Sequence, residues 1–313
     1  MFNWRVMITD GLNDAGKAVL DGKAEVVDRT GINPEELMEE IKTVDAVIVR
    51  SRTKMTSEVI QVSDRLKVIG RCGVGVDNID LEAATKNGVT VVNAPSATTT
   101  SVAELTIGLI LSLAREIPKA DAGMKRGKWL KKELKGIELS GKTLGIIGFG
   151  SIGSTVGRFA AALGMHIIAN CNFRIPETIN IIGGELLLLE DILEKADFIT
   201  VHTPLTEKTR GMINTETIAQ MKDGVYIICT ARGGIINEDA LLKALNSGKV
   251  AGAALDVFAT EPPTNLNLVR HPNVIVTPHI AGQTKAAQRW AAEDISKEIL
   301  AALNGEKLRW KIV

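Results

Sequence analysis

The most constraining feature of this sequence is a glycine pattern between an apolar run and a helix-period segment. The run Leu-Gly-Ile-Ile-Gly-Phe-Gly-Ser-Ile-Gly begins at Leu144, and a helical pattern follows at Ser154–Leu163. A strand can turn sharply at Gly148, leave its backbone uncovered at Gly150 and accept a close helix at Gly153. That arrangement holds a diphosphate at a helix N-terminus. The spacing alone is a weak signal, but in this strand–turn–helix setting it predicts dinucleotide binding.

Two series of strands and helices surround this motif. The first series of strands is predicted at Trp4–Thr9, Ala24–Asp28, Ala46–Val49, Lys67–Gly70 and Val89–Val92. Helices are predicted between them at Asn13–Leu20, Pro34–Thr43, Ser57–Val62 and Leu81–Lys86. The second series of strands is predicted at Leu144–Phe149, His166–Ala169, Phe198–His202, Val225–Cys229, Gly252–Leu255 and Val274–Thr277. Continuous apolar strands that alternate with helices predict two doubly wound parallel sheets, each covered on both faces.

Two further helices are predicted outside these series. The polar run Ser96–Ser101 is expected to cap a long apolar helix that starts near Val102, with Glu104 in its first turn. The segment Thr284–Leu303 is expected to form one helix, long enough to cross back to the first α/β unit. A chain of 313 residues exceeds the size at which a single core stops growing, so two domains are expected.

Composition excludes several classes of function. Lys plus Arg equals Asp plus Glu at 37 each, so the net charge gives no reason to expect nucleic acid or an anionic membrane as a partner. The three cysteines show no CxxC spacing, so neither a disulfide framework nor a metal site is expected. The longest near-apolar run, Leu105–Leu113, is too short to span a bilayer, and no secretory signal is recognisable at the N-terminus. We therefore expect a reducing, cytoplasmic location.

The choice between NAD and NADP stays open. An acidic residue that binds the adenosine ribose is expected at the end of the strand after the glycine motif, but the sequence there is Asn-Cys-Asn-Phe-Arg from Asn170. Asn170 or Asn172 is able to bind a ribose hydroxyl. Arg174 is able to meet a 2′-phosphate, which would favour NADP, but an ordinary surface position explains it equally well.

Four histidines are candidates for acid–base chemistry. His166 and His271 have the pattern of structural or solvated residues, and His202 ends a strand where it is expected to line the dinucleotide cleft. His279 follows the strand Val274–Thr277 and precedes the long helix, which is the position expected of a catalytic group.

Two charged residues end neighbouring strand patterns. Arg232 precedes a glycine pair and Glu261 precedes two prolines. Each alone is more typical of a salt bridge or a solvated charge. Together with His279 they match hydride transfer from a 2-hydroxy acid: a guanidinium binds the carboxylate, a histidine moves the hydroxyl proton, and a carboxylate orients the histidine.

These residues resemble the D-2-hydroxyacid dehydrogenase family in order and spacing, over nearly the whole chain. The stretches that carry the resemblance are Gly148–Gly153, Thr230–Gly234, Asp256–Phe258, Glu261–Pro263 and Pro278–His279, with Val49–Ser51, Gly70–Asp80 and Asn93–Pro95 upstream. The resemblance implies Arg232 as carboxylate anchor, His279 as acid/base and Glu261 as its partner. It implies cofactor contacts from Val74, Gly148, Gly150, Ser151, Ile152, Gly153, Cys171, Thr203, Thr230, Ala231, Asp256 and Gly282. It places the substrate against Arg50, Arg71, Cys72, Gly73 and Val74.

The resemblance also implies an organisation. Residues 1–97 with 284–313 would form a flavodoxin-like substrate domain, and residues 98–283 a Rossmann-type NAD(P) domain whose helix from Val102 forms a homodimer or homotetramer interface. The usual ribose-binding Asp of the family falls at Cys171, which puts a preference for NAD in doubt. The sequence stops at Val313, soon after the last helix, so a C-terminal regulatory domain is not expected.

The sequence leaves more than one substrate open, and also more than one class of function. Arg50 and Arg71 favour a phosphorylated 2-hydroxy acid, although both are also able simply to pair with nearby carboxylates. The unphosphorylated alternatives are glycerate or hydroxypyruvate, glyoxylate and lactate. The Lys-rich stretch 119–135 is either a solvated surface or a contact with an anionic substrate of a neighbouring subunit. A nucleotide-sensing binding protein is the alternative outside enzymes.

Overall fold

The computed structural model describes residues 2–171 and 177–313. The chain divides into two compact units. Unit 1 comprises Met1–Thr98 and Gly282–Val313, and unit 2 comprises Thr99–Ala281.

Unit 1 is a parallel sheet of five strands in the order β2-β1-β3-β4-β5. Its strands are β1 Arg5–Ile8, β2 Glu25–Asp28, β3 Ala46–Val49, β4 Val68–Arg71 and β5 Thr90–Asn93. Its helices are α1 Asp14–Leu20, α2 Pro34–Glu40, α3 Ser57–Gln61, α4 Leu81–Lys86 and α13 Lys285–Leu303, with a 3₁₀ turn at Ile41–Thr43. This strand order is that of flavodoxin-like folds.

The cores of unit 1 lie on the two faces of its sheet. All four residues of β3 are buried, as a strand covered by helices on both faces requires. One face packs against α13, and the other against the cluster that contains Leu37 and Ile60. Gly16 allows the close contact of α1 with α13, because a Cβ there would lie 2.7 Å from the carbonyl oxygen of Ala292.

Unit 2 is a parallel sheet of seven strands in the order β12-β11-β10-β9-β6-β7-β8. Its strands are β6 Thr143–Ile147, β7 His166–Asn170, β8 Glu185–Leu186, β9 Phe198–Val201, β10 Val225–Cys229, β11 Val250–Leu255 and β12 Val274–Val276. Its helices are α5 Thr99–Ala114, α6 Ile117–Lys125, α7 Ser151–Ala162, α8 Glu177–Ile181, α9 Leu189–Lys195, α10 Thr215–Gln220, α11 Glu238–Ser247 and α12 Leu266–Val269. The order from β8 through β6 to β11 is that of a Rossmann fold, extended by β12.

The predicted fold class of two doubly wound parallel-sheet units is confirmed. Three details of the sequence prediction were wrong. Helix α5 begins at Thr99 rather than near Val102, so the polar run lies partly inside it and Glu104 lies beyond its first turn. Helix α7 begins at Ser151, directly after the glycine turn, rather than at Ser154. The two-residue strand β8 was too short to recognise.

The start of α5 has a tertiary cause. The Ser101 hydroxyl is buried and donates to the carbonyl of Ala281. This contact holds inside the helix a hydroxyl side chain that would otherwise favour its cap. Among the described residues, no helix is both long enough and apolar enough to cross a membrane.

Candidate active site

The three glycines of the motif serve three different purposes. Gly148 has φ +98°, and a Cβ there would lie 2.7 Å from the carbonyl oxygen of His202. Gly153 brings α7 onto the turn, because its Cβ would lie 2.1 Å from the carbonyl oxygen of Gly148. At Gly150, by contrast, no described atom beyond the glycine and its immediate chain neighbours lies within 4 Å of the Cβ position. The turn therefore has no room for a side chain at Gly148 or Gly153, whereas the space beside Gly150 is open.

The N-terminus of α7 is available to an anion. Gly150 is its N-cap residue, and no side chain caps the helix. The first backbone N–H groups of a helix lack intrahelical partners and lie at the positive end of the helix dipole. Ser151 and Ile152, both predicted cofactor contacts, occupy the first two positions of this helix. This end of α7 therefore fits a diphosphate.

The end of β9 adds polar groups beside the same turn. His202 Nε2 shares a hydrogen bond of 3.0 Å with the hydroxyl of Thr200. Burial lowers the pKa of His202 to about 3, so the ring is neutral. His202 Nδ1 and the Thr203 hydroxyl are buried without a hydrogen-bond partner among the described residues. Because buried polar atoms rarely lack partners, both fit a crevice that holds a polar ligand.

The end of β7 holds the predicted ribose position. Cys171 is partly exposed, and its Sγ lies 4.0 Å from the carbonyl oxygen of Phe149. Asn170 donates from its side chain to the carbonyl of Leu187 at 3.0 Å, so its amide serves the fold. The alternatives at Asn172 and Arg174 lie outside the described residues.

Glu261 and His279 form a direct pair. The distance from His279 Nδ1 to Glu261 Oε2 is 2.8 Å. The other carboxylate oxygen of Glu261 accepts a hydrogen bond of 3.1 Å from the backbone N–H of Phe258, which orients it. Because Nδ1 is bonded to the carboxylate, Nε2 is the ring nitrogen left to meet a substrate.

Asp256 holds the backbone around His279. His279 has φ +53°, a left-handed conformation that costs a non-glycine residue about 1 kcal/mol. The carboxylate of Asp256 is buried and accepts from Thr277 Oγ1 at 2.5 Å, from Ile280 N at 2.9 Å and from Ala281 N at 2.9 Å. The carboxylate of Asp256 therefore holds the backbone on both sides of His279, and its predicted contact with a cofactor stays a prediction.

Arg232 lies on the same edge of the sheet. It follows β10, Glu261 follows β11 and His279 follows β12, and these are three neighbouring parallel strands. Gly233 joins the first two loops, because a Cβ there would lie 1.8 Å from the carbonyl oxygen of Phe258. The guanidinium of Arg232 donates to the carbonyl of Ala231 at 2.7 Å. All three predicted catalytic residues therefore belong to unit 2.

The remaining predicted contacts of unit 2 adjoin this edge. Thr230 directly follows β10 and is buried, and its hydroxyl lies 2.9 Å from that of Thr106 on α5. Ala231 is half-buried and follows it. Among the described residues, no cluster of His, Cys, Asp or Glu has the arrangement of a metal site.

The predicted substrate residues lie in unit 1, at the carboxyl ends of β3 and β4. Gly73 has φ +149°, and its Cβ would lie 2.1 Å from Nη1 of Arg71, which donates to the carbonyl of Cys72 at 2.7 Å. Burial raises the pKa of the Cys72 thiol, and the charges of Arg50 and Arg71 oppose that rise. Two cations therefore lie near Cys72, whereas its thiol is buried. Asn93 fixes Val74 by donating to its carbonyl at 2.7 Å.

Unit 1 also contains Gly282, which was predicted as a cofactor contact, and two residues beside the Arg50 loop that were not predicted. Gly282 opens the returning segment, and its carbonyl accepts from the side chain of Gln288 at 3.0 Å. Asp10 and Asn78, which hold the loop of Arg50, were missed. The signal was present, since both follow strand patterns at the edge where Arg50 was expected.

The geometry of unit 2 agrees with a comparison of the chain with protein families. The model for the NAD-binding domain of D-isomer specific 2-hydroxyacid dehydrogenases matches residues 107–281. This chain belongs to the D-isomer specific 2-hydroxyacid dehydrogenase family.

Individual relatives extend the likeness over the whole chain. A D-3-phosphoglycerate dehydrogenase of Methanocaldococcus jannaschii is 49% identical over 96% of this chain. A glyoxylate reductase from Paecilomyes thermophila has a TM-score of 0.92 at 29% identity, with 100% of this chain and 99% of that chain covered. A D-lactate dehydrogenase from Aquifex aeolicus, solved with NAD and lactic acid, has a TM-score of 0.85 at 32% identity, with 96% of each chain covered. The chain spans 58% of the length of the M. jannaschii relative.

Proposed function

We propose that this chain is a D-3-phosphoglycerate dehydrogenase, which oxidises 3-phospho-D-glycerate to 3-phosphohydroxypyruvate in serine biosynthesis. The observation that carries the reaction type is the 2.8 Å contact between His279 Nδ1 and Glu261 Oε2, on the strand edge that also carries Arg232. The substrate rests on two arginines in unit 1 and on the 49% identity to the M. jannaschii enzyme of that name.

The proposed chemistry divides among three side chains. Arg232 binds the substrate carboxylate, because a planar guanidinium matches a carboxylate with two hydrogen bonds. Nε2 of His279 accepts the proton of the C2 hydroxyl during oxidation and returns it during reduction. Glu261 stabilises the imidazolium formed in between and keeps Nε2 directed outward. A bound nicotinamide supplies the acceptor for the hydride that leaves C2.

The dinucleotide is proposed to lie across the open glycine turn. Backbone N–H groups at Ser151 and Ile152 meet the diphosphate, and Thr203 with Thr230 adjoins the rest of the cofactor. We propose NAD as the cofactor and NADP as an accepted alternative. Cys171 brings no negative charge to the ribose position, so it neither selects the 2′-hydroxyl nor repels a 2′-phosphate.

The phosphate end of the substrate is proposed to meet Arg50 and Arg71. The sheet order of unit 1 reverses between β1 and β3, and ligands of such sheets bind at that switch point. Arg50 follows β3 directly. Among the described residues, no carboxylate lies within ion-pair distance of Arg50, which disfavours the alternative that it simply pairs with a nearby acid.

A homodimer, with a homotetramer as the alternative, also belongs to the proposal. Eight of the sixteen residues of α5 are buried within unit 2, and large apolar side chains are exposed just after the helix, at Ile117, Met124 and Trp129. Trp129 is 74% exposed. Exposed large apolar side chains are a feature of subunit contacts, and sedimentation equilibrium would test the proposed oligomer. The expected cytoplasmic location stays a prediction.

Absorbance of the reduced nicotinamide tests the reaction. The protein is given NADH or NADPH with 3-phosphohydroxypyruvate, hydroxypyruvate, glyoxylate and pyruvate in parallel. Fast oxidation with the phosphorylated keto acid is expected. Preference for an unphosphorylated acid would point to a hydroxypyruvate or glyoxylate reductase. Nicotinamide binding without turnover of any acid would favour a nucleotide-sensing protein.

A further inference from the structure

The loop that carries Arg50 is held from both sides by polar side chains of neighbouring strands. Asp10, after β1, accepts hydrogen bonds from Arg50 N at 2.7 Å and from Thr53 N at 3.1 Å. Asn78, after β4, donates to the carbonyls of Arg50 at 2.8 Å and Thr53 at 2.6 Å. Strand β3, which ends at this loop, lies between β1 and β4. Both backbone polar groups of Arg50 are therefore fixed.

The side chains of the loop divide into two groups. Thr53 Oγ1 lies 2.5 Å from Asp10 Oδ1, and Arg52 Nη2 lies 3.0 Å from the same oxygen. Arg52 also donates to the carbonyls of Thr9 and Ile32. These bonds engage the side chain of Arg52 in the fold, whereas Arg50 is held through its backbone N–H and carbonyl.

Asp10 is a suitable anchor because it stays charged. The side chain of Asp10 is almost fully buried, with 4% exposed. Burial by itself raises its pKa, but hydrogen bonds from Thr53 and Arg50 and the charge of Arg52 outweigh burial, and the pKa lies below its ordinary value. Arg52 balances the charge of Asp10, so Asp10 itself brings no uncompensated negative charge to an anionic ligand near Arg50.

We propose that Asp10 and Asn78 are positioning residues, which fix the backbone of Arg50 so that its guanidinium is preorganised for the phosphate end of the substrate. This inference rests on the proposed function. We call the hydrogen bonds of Asp10 and Asn78 to this loop the clamp. Because the clamp orders the loop before the substrate binds, binding costs less conformational entropy, and the clamp therefore acts on substrate affinity. Neither residue touches the substrate.

The test compares two buried aspartates of unit 1. Asp10→Asn leaves the shape but removes the charge and one acceptor oxygen. Asp45→Asn is the matched control: Asp45 also is buried, accepts a backbone hydrogen bond from Arg5 N at 2.9 Å and pairs with Arg65 at 3.0 Å. Asp45 precedes β3, so it lies at the opposite edge of the sheet from Arg50.

Asp10→Asn is expected to raise KM for 3-phosphohydroxypyruvate about tenfold, the equivalent of one good hydrogen bond, with kcat and NADH affinity nearly unchanged. Asp45→Asn is expected to leave KM unchanged. Amide hydrogen exchange at Arg50 and Thr53 is expected to accelerate about tenfold in Asp10→Asn and not in Asp45→Asn. Asn78→Asp places a carboxylate against two carbonyls and is expected to raise KM as well, which covers the case that Asp10→Asn fails to fold.

Equal effects of Asp10→Asn and Asp45→Asn on KM and on exchange of the loop amides would overturn the clamp. A folded Asn78→Asp protein with wild-type KM would also overturn it. If the wild-type protein reduces no 2-keto acid, the proposed function fails. Exchange at Arg50 and Thr53 then still decides whether Asp10 and Asn78 order the loop.

Discussion

At the scale of single residues, the site depends on which groups hold the histidine. Glu261 fixes the ring of His279 through Nδ1, and Asp256 fixes its backbone through Thr277, Ile280 and Ala281. The left-handed backbone at His279 persists because these bonds offset its strain. Ring and backbone are held by different carboxylates, so the orientation of Nε2 does not depend on a bound substrate.

Replacing His279 should separate chemistry from binding. His279→Asn is expected to lower kcat by about 10²–10⁴, the range supplied by a positioned acid–base group. The Kd for NADH, measured by fluorescence titration, is expected to stay within about threefold of wild type, because the glycine turn and β9 are untouched. His166→Asn, at an exposed histidine, is the control. A near-normal kcat in His279→Asn would remove His279 from the mechanism.

His202 should make the fold sensitive to acid. Burial lowers its pKa to about 3 from an ordinary 6.5. Below pH 6.5 the unfolded chain therefore binds a proton that the folded chain does not, and the free energy of unfolding falls as the pH falls toward 3. Between pH 7 and pH 5 this one group accounts for up to about 2 kcal/mol.

Urea unfolding at several pH values checks this linkage. His202→Asn is expected to lose less stability than wild type between pH 7 and pH 5, by up to about 2 kcal/mol. His166→Asn, changed at the exposed start of β7, should follow the wild-type curve. Parallel curves for wild type and His202→Asn would contradict the assignment of a buried, neutral ring.

At the scale of elements, strand ends carry the site and the sequence located them well. The ends of β10, β11 and β12 were predicted within two residues, because continuous apolar runs stop where polar loops begin. The start of α5 was misplaced because its hydroxyl residues are drawn inward by contacts distant in sequence, such as Ser101 with Ala281. The position of Asp10 after a strand pattern was visible in the sequence, but its hydrogen bond to Arg50 was not, because residues 40 apart meet only once β1 and β3 have paired.

Alanine at two glycines of the same turn should affect different properties: fold stability at Gly153 and NADH affinity at Gly150. Gly153→Ala is expected to destabilise the fold by about 1–3 kcal/mol or more, because its Cβ overlaps Gly148. Gly150→Ala has open space, so stability should hold while the Kd for NADH rises about tenfold or more where the backbone meets the diphosphate. Thermal unfolding and NADH titration of both variants provide the check, each variant being the control for the other. Equal losses of stability would refute the distinction.

At the scale of the whole molecule, the residues proposed for the reaction and those proposed for phosphate binding belong to different units. Unit 2 contains the glycine turn with Arg232, Glu261 and His279, and unit 1 contains the candidate phosphate-binding arginines. Motifs for the carboxylate and C2 serve many 2-hydroxy acids, so unit 2 predicts the reaction, whereas the far end of the substrate rests on the less specific signal of Arg50 and Arg71 in unit 1. This is why the family followed from the sequence more readily than the substrate.

The most direct test is therefore the ratio of kcat/KM for 3-phosphohydroxypyruvate to that for hydroxypyruvate, measured for wild type and for Arg50→Gln. A phosphate bound by arginines through charge-assisted hydrogen bonds predicts a ratio of at least about 100 in wild type and a fall of about tenfold or more in Arg50→Gln. A ratio near one in wild type, or one that Arg50→Gln leaves unchanged, would contradict the assignment of a phosphorylated substrate to this site.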